Sequence, residues 1–424
     1  MISAPGPRGL PISGSMIAFQ RDPLALLERS VRKHGDVVRF RFAHIIAHLL
    51  NHPDHIDRVL SRNAANYDKN TRSAAMIAET CGDSLLSANT DAWARHRKLL
   101  QPVFQPRAVE SFAPMIDAQI SPMLAKWEKL AQAGEPLDIV AEMMSVVIST
   151  AVRLLFSNRM NSDRIEAALR VLLADTWRRL QTPLDASMIS PFFHRRDYMA
   201  ARADIDAIIA DMIRHRRQSD DRPDDVLTRL LSAHEAEGAE GLSDTELRDA
   251  AVTLLLAGHE TTANALAWMF WLVARDPQLG LDSVDPQWLF AEALRLYPSI
   301  WIIERRAIGD DQVAGFRIDA GTTVLVSPWL LHRNPTFWPD PLRFDPARFA
   351  PDQVAARPRL AYLPFGHGPH RCIGLHLARL IAGRIIRQVY AQFRLEAMDP
   401  SPQPVSPRIT LQPAGPIWLR VLPR

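Results

Sequence analysis

Hydrophobic and polar positions follow a helical period over most of the chain. Apolar residues recur every third or fourth position from about residue 107 to 218, and again through the tract 250–274. The capping box Ser243-Asp244-Thr245-Glu246 predicts that the longest helix begins there and ends near Asp276-Pro277. Start and stop signals predict further helices over 22–35, 53–60, 91–103, 285–297 and 375–393.

Short alternating stretches predict a smaller β part. Strands are expected at Val37–Phe42 and Ile45–Leu50, then over 301–308, 313–318 and 322–326, with short strands at the C-terminal end. Residues 66–90 show no clear period, and a proline-rich meander covers 335–364. The fold class is therefore predicted as mainly α with a minor β region, which falls at about 36–60, 300–330 and the C-terminal strands.

Composition and charge add limits to this picture. The 424 residues are 47% hydrophobic and 23% charged, which is typical of a soluble globular protein. No Gly/Ser linker or block of like charges divides the chain, so one domain over 1–424 is expected. A net charge of +3 gives no reason to expect nucleic-acid binding.

The longest apolar tract, 250–274, is a candidate in the sequence for a membrane span. His259, Glu260, Thr261 and Asn264 interrupt it, so it is interpreted as a buried helix and no membrane span is expected. The first 21 residues contain three prolines and no apolar signal segment, and the chain has two cysteines. A reducing, cytoplasmic location and a monomer are expected.

The most informative stretch is Phe365-Gly366-His367-Gly368-Pro369-His370-Arg371-Cys372-Ile373-Gly374. A cysteine in a glycine-rich turn before a helix can be held as a thiolate by backbone N–H groups that point at its sulfur. A lone cysteine is most often a small buried hydrophobe, and Cys81 is interpreted in that way. One thiolate suits haem iron better than zinc, which takes three or four close N or S ligands.

This stretch fits F-x-x-G-x-x-x-C-x-G and resembles the haem-thiolate loop of cytochromes P450. Two more motifs match the same family in order: Ala257-Gly258-His259-Glu260-Thr261-Thr262 in the long helix, and Glu292-Ala293-Leu294-Arg295 with Pro346-Ala347-Arg348-Phe349 downstream. Judged from the residues alone, the first is either a polar defect bonded to its own helix or a place where the helix loosens around a ligand. The resemblance covers nearly the whole chain and is to the soluble, bacterial-type monooxygenases.

The resemblance implies roles for individual residues. Cys372 would be the axial ligand of the haem iron, Thr261 would hold a water on the oxygen-binding side, and Glu260 would relay protons. Glu292, Arg295 and Arg348 would form a structural network behind the haem. The implied cofactor-binding residues are Trp93, Arg97, Ala257, Arg305, Phe365, His370, Cys372 and Gly374. Strand alternation leaves open whether Arg305 or Arg306 faces a haem propionate.

The resemblance also implies the reaction and its partners. Haem b would use O2 and electrons from NAD(P)H, delivered by a ferredoxin or flavodoxin and its reductase, to insert one oxygen atom into a C–H bond of a hydrophobic small molecule. The expected donor contacts are Arg95, Lys98, Arg371 and Arg379. The expected substrate pocket contains Met76, Ile77, Leu86, Ala257, Ile300, Trp301 and Ile302, with Met188 and Phe192 from the stretch 181–193.

Two alternatives stay open. One is a peroxide-driven haem-thiolate peroxygenase, although family members of that type replace the acid–alcohol pair that Glu260 and Thr261 form here. The other is a non-catalytic haem-binding sensor or carrier, which normally has a signalling domain.

Overall fold

A computed structural model describes residues 2–157, 162–181, 195–219, 222–237, 242–276, 279 and 284–424. Helices dominate this part of the chain. Their bounds are Met16–Arg21 (α1), Pro23–His34 (α2), Pro53–Asp57 (α3), Arg72–Cys81 (α4), Thr90–Leu100 (α5), Pro106–Glu110 (α6), Ala113–Ala133 (α7), Ile139–Phe156 (α8), Ser162–Gln181 (α9), Arg195–Gln218 (α10), Val226–Glu237 (α11), Asp244–Ala274 (α12), Pro286–Leu296 (α13), Pro328–Leu331 (α14), Pro351–Ala356 (α15) and Leu375–Gln392 (α16).

The strands form one larger sheet and three small ones. Their bounds are Val37–Phe42 (β1), Ile45–Leu50 (β2), Tyr67–Asp68 (β3), Pro136–Asp138 (β4), Ile303–Ala307 (β5), Asp311–Val313 (β6), Phe316–Ile318 (β7), Thr323–Val326 (β8), Phe393–Ala397 (β9), Val405–Pro407 (β10), Leu411–Pro413 (β11) and Trp418–Pro423 (β12). The larger sheet has the order β1-β2-β8-β5-β3, in which β2 and β8 are parallel and Leu49 lies opposite Leu325. β4, β12 and β9 form a second sheet, and β6–β7 and β10–β11 are separate pairs.

Side-chain caps set several helix ends where the sequence predicts them. The Asp22 carboxylate accepts a hydrogen bond from the Ala25 N–H at 2.9 Å, and α2 ends at Gly35. At the start of α12, the Ser243 hydroxyl and the Glu246 carboxylate cap each other's backbone N–H groups. Each cap satisfies donors that the first turn of a helix leaves unpaired. The prediction of a mainly α fold with a minor β region is confirmed.

Two local predictions are wrong. The stretch 66–90 contains β3 and the ten-residue helix α4, whose first turn is capped by the Thr71 hydroxyl through the Ala74 N–H. The stretch 313–318 is not one strand, because Ala314 and Gly315 both have positive φ and form a turn between β6, which ends at Val313, and β7 at Phe316–Ile318. A tight hairpin of this kind needs left-handed backbone at its turn, which a strand pattern does not reveal.

The core is built around α12. α8 packs on it and α7 packs on α8, and α13 and α16 also contact α12. α8 is long and apolar enough to cross a membrane by length and composition, but 61% of it is buried in the core. We therefore interpret α8, like α12, as a core helix.

Candidate haem-thiolate site

The cysteine loop folds so that its backbone surrounds the Cys372 sulfur. The Cys372 N–H donates to the Phe365 carbonyl at 2.9 Å, and the Arg371 N–H donates to the Gly368 carbonyl at 3.1 Å. Burial raises the pKa of the Cys372 thiol, whereas the N–H groups of Gly374 and Leu375 at the start of α16 lower it. Arg97 and Arg371 also lower this pKa. A metal ion beside the sulfur would favour the thiolate further.

Gly368 fixes the position of this loop. Its φ is +71°, and a Cβ atom there would lie 1.7 Å from the Leu60 carbonyl oxygen. Leu60 belongs to the π-helical segment Arg58–Arg62. A side chain at position 368 would therefore push the loop away from this segment, and glycine is required both for the backbone angle and for the close approach.

A group of cationic side chains lies beside the loop. Lys69, Arg97, Arg305 and His370 act on one another electrostatically, and the Trp93 ring lies 4.0 Å from the His370 ring, centroid to centroid. We call these four basic residues the cation cluster, in which His370 is the neutral member. Among the residues that the structure describes, none of the four forms a salt bridge with a carboxylate. Lys69 Nζ donates to the Leu85 carbonyl at 2.5 Å, Arg97 to the Arg371 carbonyl at 2.8 Å, and Arg305 to the Glu304 carbonyl at 2.7 Å.

Burial lowers the pKa of every member of the cation cluster, and repulsion from neighbouring cations adds to this at Lys69 and His370. Burial, Arg305 and Arg97 lower the pKa of Lys69 to about 7. Burial lowers the pKa of the Arg305 guanidinium to about 10, and burial together with Arg305 and Lys69 lowers the pKa of His370 to about 3. The Nδ1 atom of His370 is buried without a hydrogen-bond partner. Burying an unpaired donor or an uncompensated cation costs free energy. The cluster therefore suits an anionic ligand, such as one that carries two carboxylates.

The structure places Arg305 and Arg306 on opposite sides of β5. Arg305 belongs to the cation cluster, whereas Arg306 forms an ion pair with Asp68 at 3.4 Å. Lys69 was missed by the sequence analysis, because no local pattern separates this lysine from a surface residue. Its position depends on the pairing of β3 with β5.

The polar motif of α12 lies within a continuous helix. Thr261 Oγ1 donates to the Ala257 carbonyl at 2.8 Å, so its hydroxyl bonds back to its own helix. The helix runs unbroken from Asp244 to Ala274, so of the two alternatives from the sequence this geometry matches the polar residue bonded to its own helix. Gly258 is nevertheless exposed, and it shares one helix face with half-buried Leu254, Ala257 and Thr261.

Glu260 is held by a residue that the sequence analysis also missed. Its carboxylate accepts a hydrogen bond from the Thr410 hydroxyl at 2.8 Å, and Asn264 Nδ2 donates to that hydroxyl at 3.3 Å. Thr410 is buried just before β11. The acid of the acid–alcohol pair is therefore anchored to the C-terminal segment.

The residues expected to form a structural network are in contact. Glu292 and Arg295 are fully buried and joined by two hydrogen bonds of 2.7 Å. Arg295 also donates to the carbonyls of His332, Pro341 and Arg343, at 2.9, 2.6 and 3.0 Å. Arg348 Nε lies 3.5 Å from the Glu292 carboxylate. The Glu292–Arg295 pair thus has the further hydrogen bonds that a buried ion pair needs.

The expected substrate-pocket residues are distributed over several parts of the molecule. Met76 lines a cavity of about 380 Å³ together with His44, Ile45, Arg72, Ala75, Glu79 and Arg179. Trp301 is fully buried in another core, where its indole N–H donates to the Arg408 carbonyl at 2.8 Å, and Ile302 packs on that core. Ile77 and Leu86 pack against the main core. Ile300 is half-buried, and Met188 and Phe192 lie outside the described residues.

Comparisons with known proteins agree with this geometry. The family model described as cytochrome P450 matches residues 4–280 and 287–420. The chain is 32% identical to cyclooctat-9-en-7-ol 5-monooxygenase of Streptomyces melanosporofaciens, over 93% of the chain and 89% of the relative. It is 28% identical to pentalenene oxygenase of Streptomyces avermitilis, over 93% and 91%. The solved cytochrome P450DA heme domain has the same fold, with a TM-score of 0.87, 22% identity and coverage of 100% and 98%.

Fold, cysteine loop and family match together define a haem-thiolate protein, and the chain belongs to the cytochrome P450 family. It is an oxidoreductase of the monooxygenase class, and haem is the cofactor that the family implies. The residues present fit that group. Cys372 offers a sulfur ligand, no described carboxylate forms a salt bridge with the cation cluster, and His370 Nδ1 is buried without a hydrogen-bond partner.

Proposed function

We propose that this protein uses haem b and O2 to insert one oxygen atom into a C–H bond of a hydrophobic small molecule. The observation that carries the proposal is the cation cluster beside the Cys372 sulfur. Structural ion pairs elsewhere in the fold bring their own carboxylates, and this group does not. A porphyrin with two propionates supplies both the metal for the sulfur and the carboxylates for the cations.

Each site residue has a role in this proposal. Cys372 would ligate the iron, and Lys69, Arg97, Arg305 and His370 would hold the propionates. Haem held by a thiolate supplies the O2 chemistry, since the electron-rich sulfur favours O–O cleavage. Glu260 and Thr261 would move protons, and Thr410 positions the Glu260 carboxylate. Glu292, Arg295 and Arg348 stabilise the fold and take no part in the chemistry.

The substrate class is proposed from the relatives. Two of them are named for acting on pentalenene and on cyclooctat-9-en-7-ol, an alkene and an alkenol. We propose a cyclic terpenoid hydrocarbon or alcohol, which suits the half-buried apolar face of α12 around Ala257. Electrons come from NAD(P)H through a separate ferredoxin or flavodoxin and its reductase.

The chain is further proposed to form one catalytic domain, to act as a monomer and to work in the cytoplasm. The family match from residue 4 to residue 420 supports the single domain. The absence of a disulfide between Cys81 and Cys372 is consistent with a reducing compartment.

The function can be tested by screening terpenoids for a spectral spin shift of the haem-loaded protein. A compound that shifts the spectrum is then incubated with ferredoxin, reductase, NADPH and O2 labelled with heavy oxygen. One labelled atom in the product and NADPH consumption equal to product are expected. Product formed only with peroxide would contradict the proposal in favour of a peroxygenase, and haem binding without any turnover would favour a sensor or carrier.

A further inference from the structure

Another cavity, of about 500 Å³, lies between α13, α15 and α16. Trp288 and Ala291 line it from α13, Val354 and Ala355 from α15, and Arg379 from α16. Its lining shares Arg379 with the expected donor contacts and shares no residue with the haem and substrate sites. Pockets that bind small molecules measure roughly 300–1,000 Å³, so this cavity has the size for one small ligand.

The charge around this cavity is of one sign. Three arginines line it, and no acidic residue does: Arg357, Arg359 and Arg379. We call them the arginine trio. Within the described part of the chain, none of the three forms a salt bridge with a carboxylate. Glu292 acts electrostatically on Arg357, but its carboxylate is already bonded to Arg295. A cleft lined by charge of one sign concentrates ions of the opposite sign, so the cavity should attract an anion.

Arg357 is held in a fixed orientation at the cavity. Its guanidinium carbon lies 3.9 Å from the centre of the Trp338 ring and 5.3 Å from that of the Phe349 ring. It donates to the Arg348 carbonyl at 3.3 Å, and the described residues leave most of its other N–H groups unused. A guanidinium that is fixed by stacking can bind a carboxylate or a phosphate through two parallel hydrogen bonds.

Aromatic rings supply much of the apolar lining. Trp288, Phe349 and Tyr362 all face the cavity. The Tyr362 hydroxyl donates to the Ala291 carbonyl at 2.9 Å, so its polar group is satisfied inside the protein and the ring keeps its place. Aromatic rings stack favourably against other flat rings. The lining therefore suits a ligand that has an aromatic ring as well as a negative charge.

The cavity is formed before any ligand binds, because α13 and α16 are joined directly. Gln287 Nε2 of α13 donates to the Arg379 carbonyl of α16 at 3.0 Å. A Cβ atom at Gly383 of α16 would lie 2.4 Å from the same nitrogen, so the glycine permits the close approach. A preformed site does not have to be ordered when the ligand arrives, and this lowers the cost of binding.

We propose that this cavity binds a flat aromatic anion, whose ring lies against the aromatic lining and whose carboxylate or phosphate binds the arginine trio. The ligand is distinct from both haem and substrate, so the inference does not rest on the proposed function. α16 begins directly after the Cys372 loop, and a ligand between α13, α15 and α16 would tie this helix to its neighbours. The bound ligand should therefore raise the temperature of thermal unfolding.

Isothermal titration calorimetry of the haem-loaded full chain tests the proposal. 4-Phenylimidazole, which ligates haem iron, keeps the probes out of the substrate pocket. The probes are 2-naphthoate and adenosine monophosphate, and 2-naphthol and inorganic phosphate are the controls for the ring alone and the charge alone. We expect at least one of the two probes to bind ten times more tightly than either control. A preference for 2-naphthoate identifies a carboxylate ligand, and a preference for adenosine monophosphate identifies a phosphate ligand.

Two variants and a matched control locate the binding. Arg359→Gln should weaken binding of the tighter probe about tenfold, because a charge-assisted hydrogen bond is lost. Ala355→Trp should weaken it further, since the indole ring would occupy the cavity. Both positions are exposed, so both variants should fold, which circular dichroism checks. Arg343→Gln is the control and should stay within twofold, because Arg343 is an exposed arginine of the same meander that does not line the cavity.

Several results would overturn the proposal. One is the lack of binding by either probe, and another is equal affinity in Ala355→Trp and Arg343→Gln. Inorganic phosphate that binds as tightly as adenosine monophosphate would show an adventitious ion only. If neither probe binds and Ala355→Trp slows reduction by ferredoxin, the cavity belongs to the donor surface. Absence of the monooxygenase reaction would leave the binding result unaffected, so the two proposals fail separately.

Discussion

Two groups of enclosed charge lie in this molecule and differ in how they are compensated. Glu292 and Arg295 carry opposite charges, are fully buried and satisfy each other and three carbonyls. The cation cluster consists of Lys69, Arg97, Arg305 and His370, and its members bond only to carbonyls or to nothing. The first group is complete within the protein, whereas the second has an excess of positive charge.

The difference separates residues that hold a fold from residues that hold a ligand. Apart from Lys69, the residues of both groups were predicted from family motifs in the sequence, which give no sign of how their charges are compensated. Only the three-dimensional arrangement shows that the Glu292–Arg295 pair needs nothing more and that the cluster needs an anion. Substitutions in the two groups should therefore change the stability of the apoprotein in different directions. Only those in the cation cluster should have effects that depend on haem.

The largest effect is expected for Arg295→Leu. This change leaves the Glu292 carboxylate buried without its partner and should lower the free energy of unfolding by about 3–5 kcal/mol, with or without haem. Urea unfolding measures it. Arg170→Ala, which breaks an exposed pair with Glu166 on α9, should cost less than about 1 kcal/mol. If Arg295→Leu also cost less than about 1 kcal/mol, the network would not stabilise the fold.

The next largest effect is expected at Arg305, where a substitution should affect the apoprotein and the haem-loaded protein in opposite directions. Arg305→Met removes one charge from the crowded cluster, so the apoprotein should be equally or more stable. The haem-loaded protein should lose affinity for haem about tenfold or more, because a charge-assisted hydrogen bond to a propionate is gone. Haem transfer to apomyoglobin measures the affinity.

Arg306→Met is the control for Arg305→Met on the same strand. Its guanidinium pairs with Asp68 at 3.4 Å and is partly exposed, so haem affinity should stay within about twofold. Equal losses of haem affinity for the two variants would show that Arg305 does not contact the cofactor.

The cation cluster also predicts a pH dependence. Lys69 has its pKa lowered to about 7 from an ordinary value of 10.5, so between these pH values the unfolded chain binds more protons than the folded one. The stability of the apoprotein should therefore rise from pH 7 toward pH 10, and this part of the rise should be absent in Lys69→Met. Haem propionates would raise the pKa of Lys69, so after haem loading the unchanged protein and Lys69→Met should differ less in the pH dependence of their stability. If haem loading left this difference between the two proteins unchanged, contact between Lys69 and the propionates would be contradicted.

The smallest effect concerns exposed cations near the cysteine loop. Arg371 and Lys98 are exposed, whereas Arg95 is already paired with Glu246 at 2.7 Å. Arg371→Glu should slow electron transfer from an acidic ferredoxin about threefold to tenfold and reduce its salt dependence. Arg95→Gln should change it less. Stopped-flow reduction at several salt concentrations measures both, and an unchanged salt dependence in Arg371→Glu would remove that residue from the donor surface.

Local signals predicted the parts of this fold that local interactions form. The caps at Asp22 and Ser243 and the alternation in β1 and β2 lie within a few residues of the elements they specify. Helix α4 had such signals too, with Thr71 before it and Gly82 after it, but an alanine-rich face hid the period. The hairpin at Ala314 needed a backbone angle that alanine rarely adopts, so the sequence there indicated a strand.

Long-range contacts escaped the sequence analysis. Glu260 and its partner Thr410 are 150 residues apart, and Lys69 joins the cation cluster through a two-residue strand. Trp301 shows the opposite error. It was expected in the pocket, but its indole ring is fully buried in a separate core, on which Ile302 also packs. Apolar residues look alike in sequence whether they line a pocket or a core.

The spectrum of the reduced protein with carbon monoxide tests the central claim most directly. The account predicts a strongly red-shifted Soret band, which requires a thiolate on the haem iron. It also predicts that Cys81→Ser, at the other and fully buried cysteine, keeps this band and that Cys372→Ser loses it. A colourless protein, or an unchanged band in Cys372→Ser, would contradict the account.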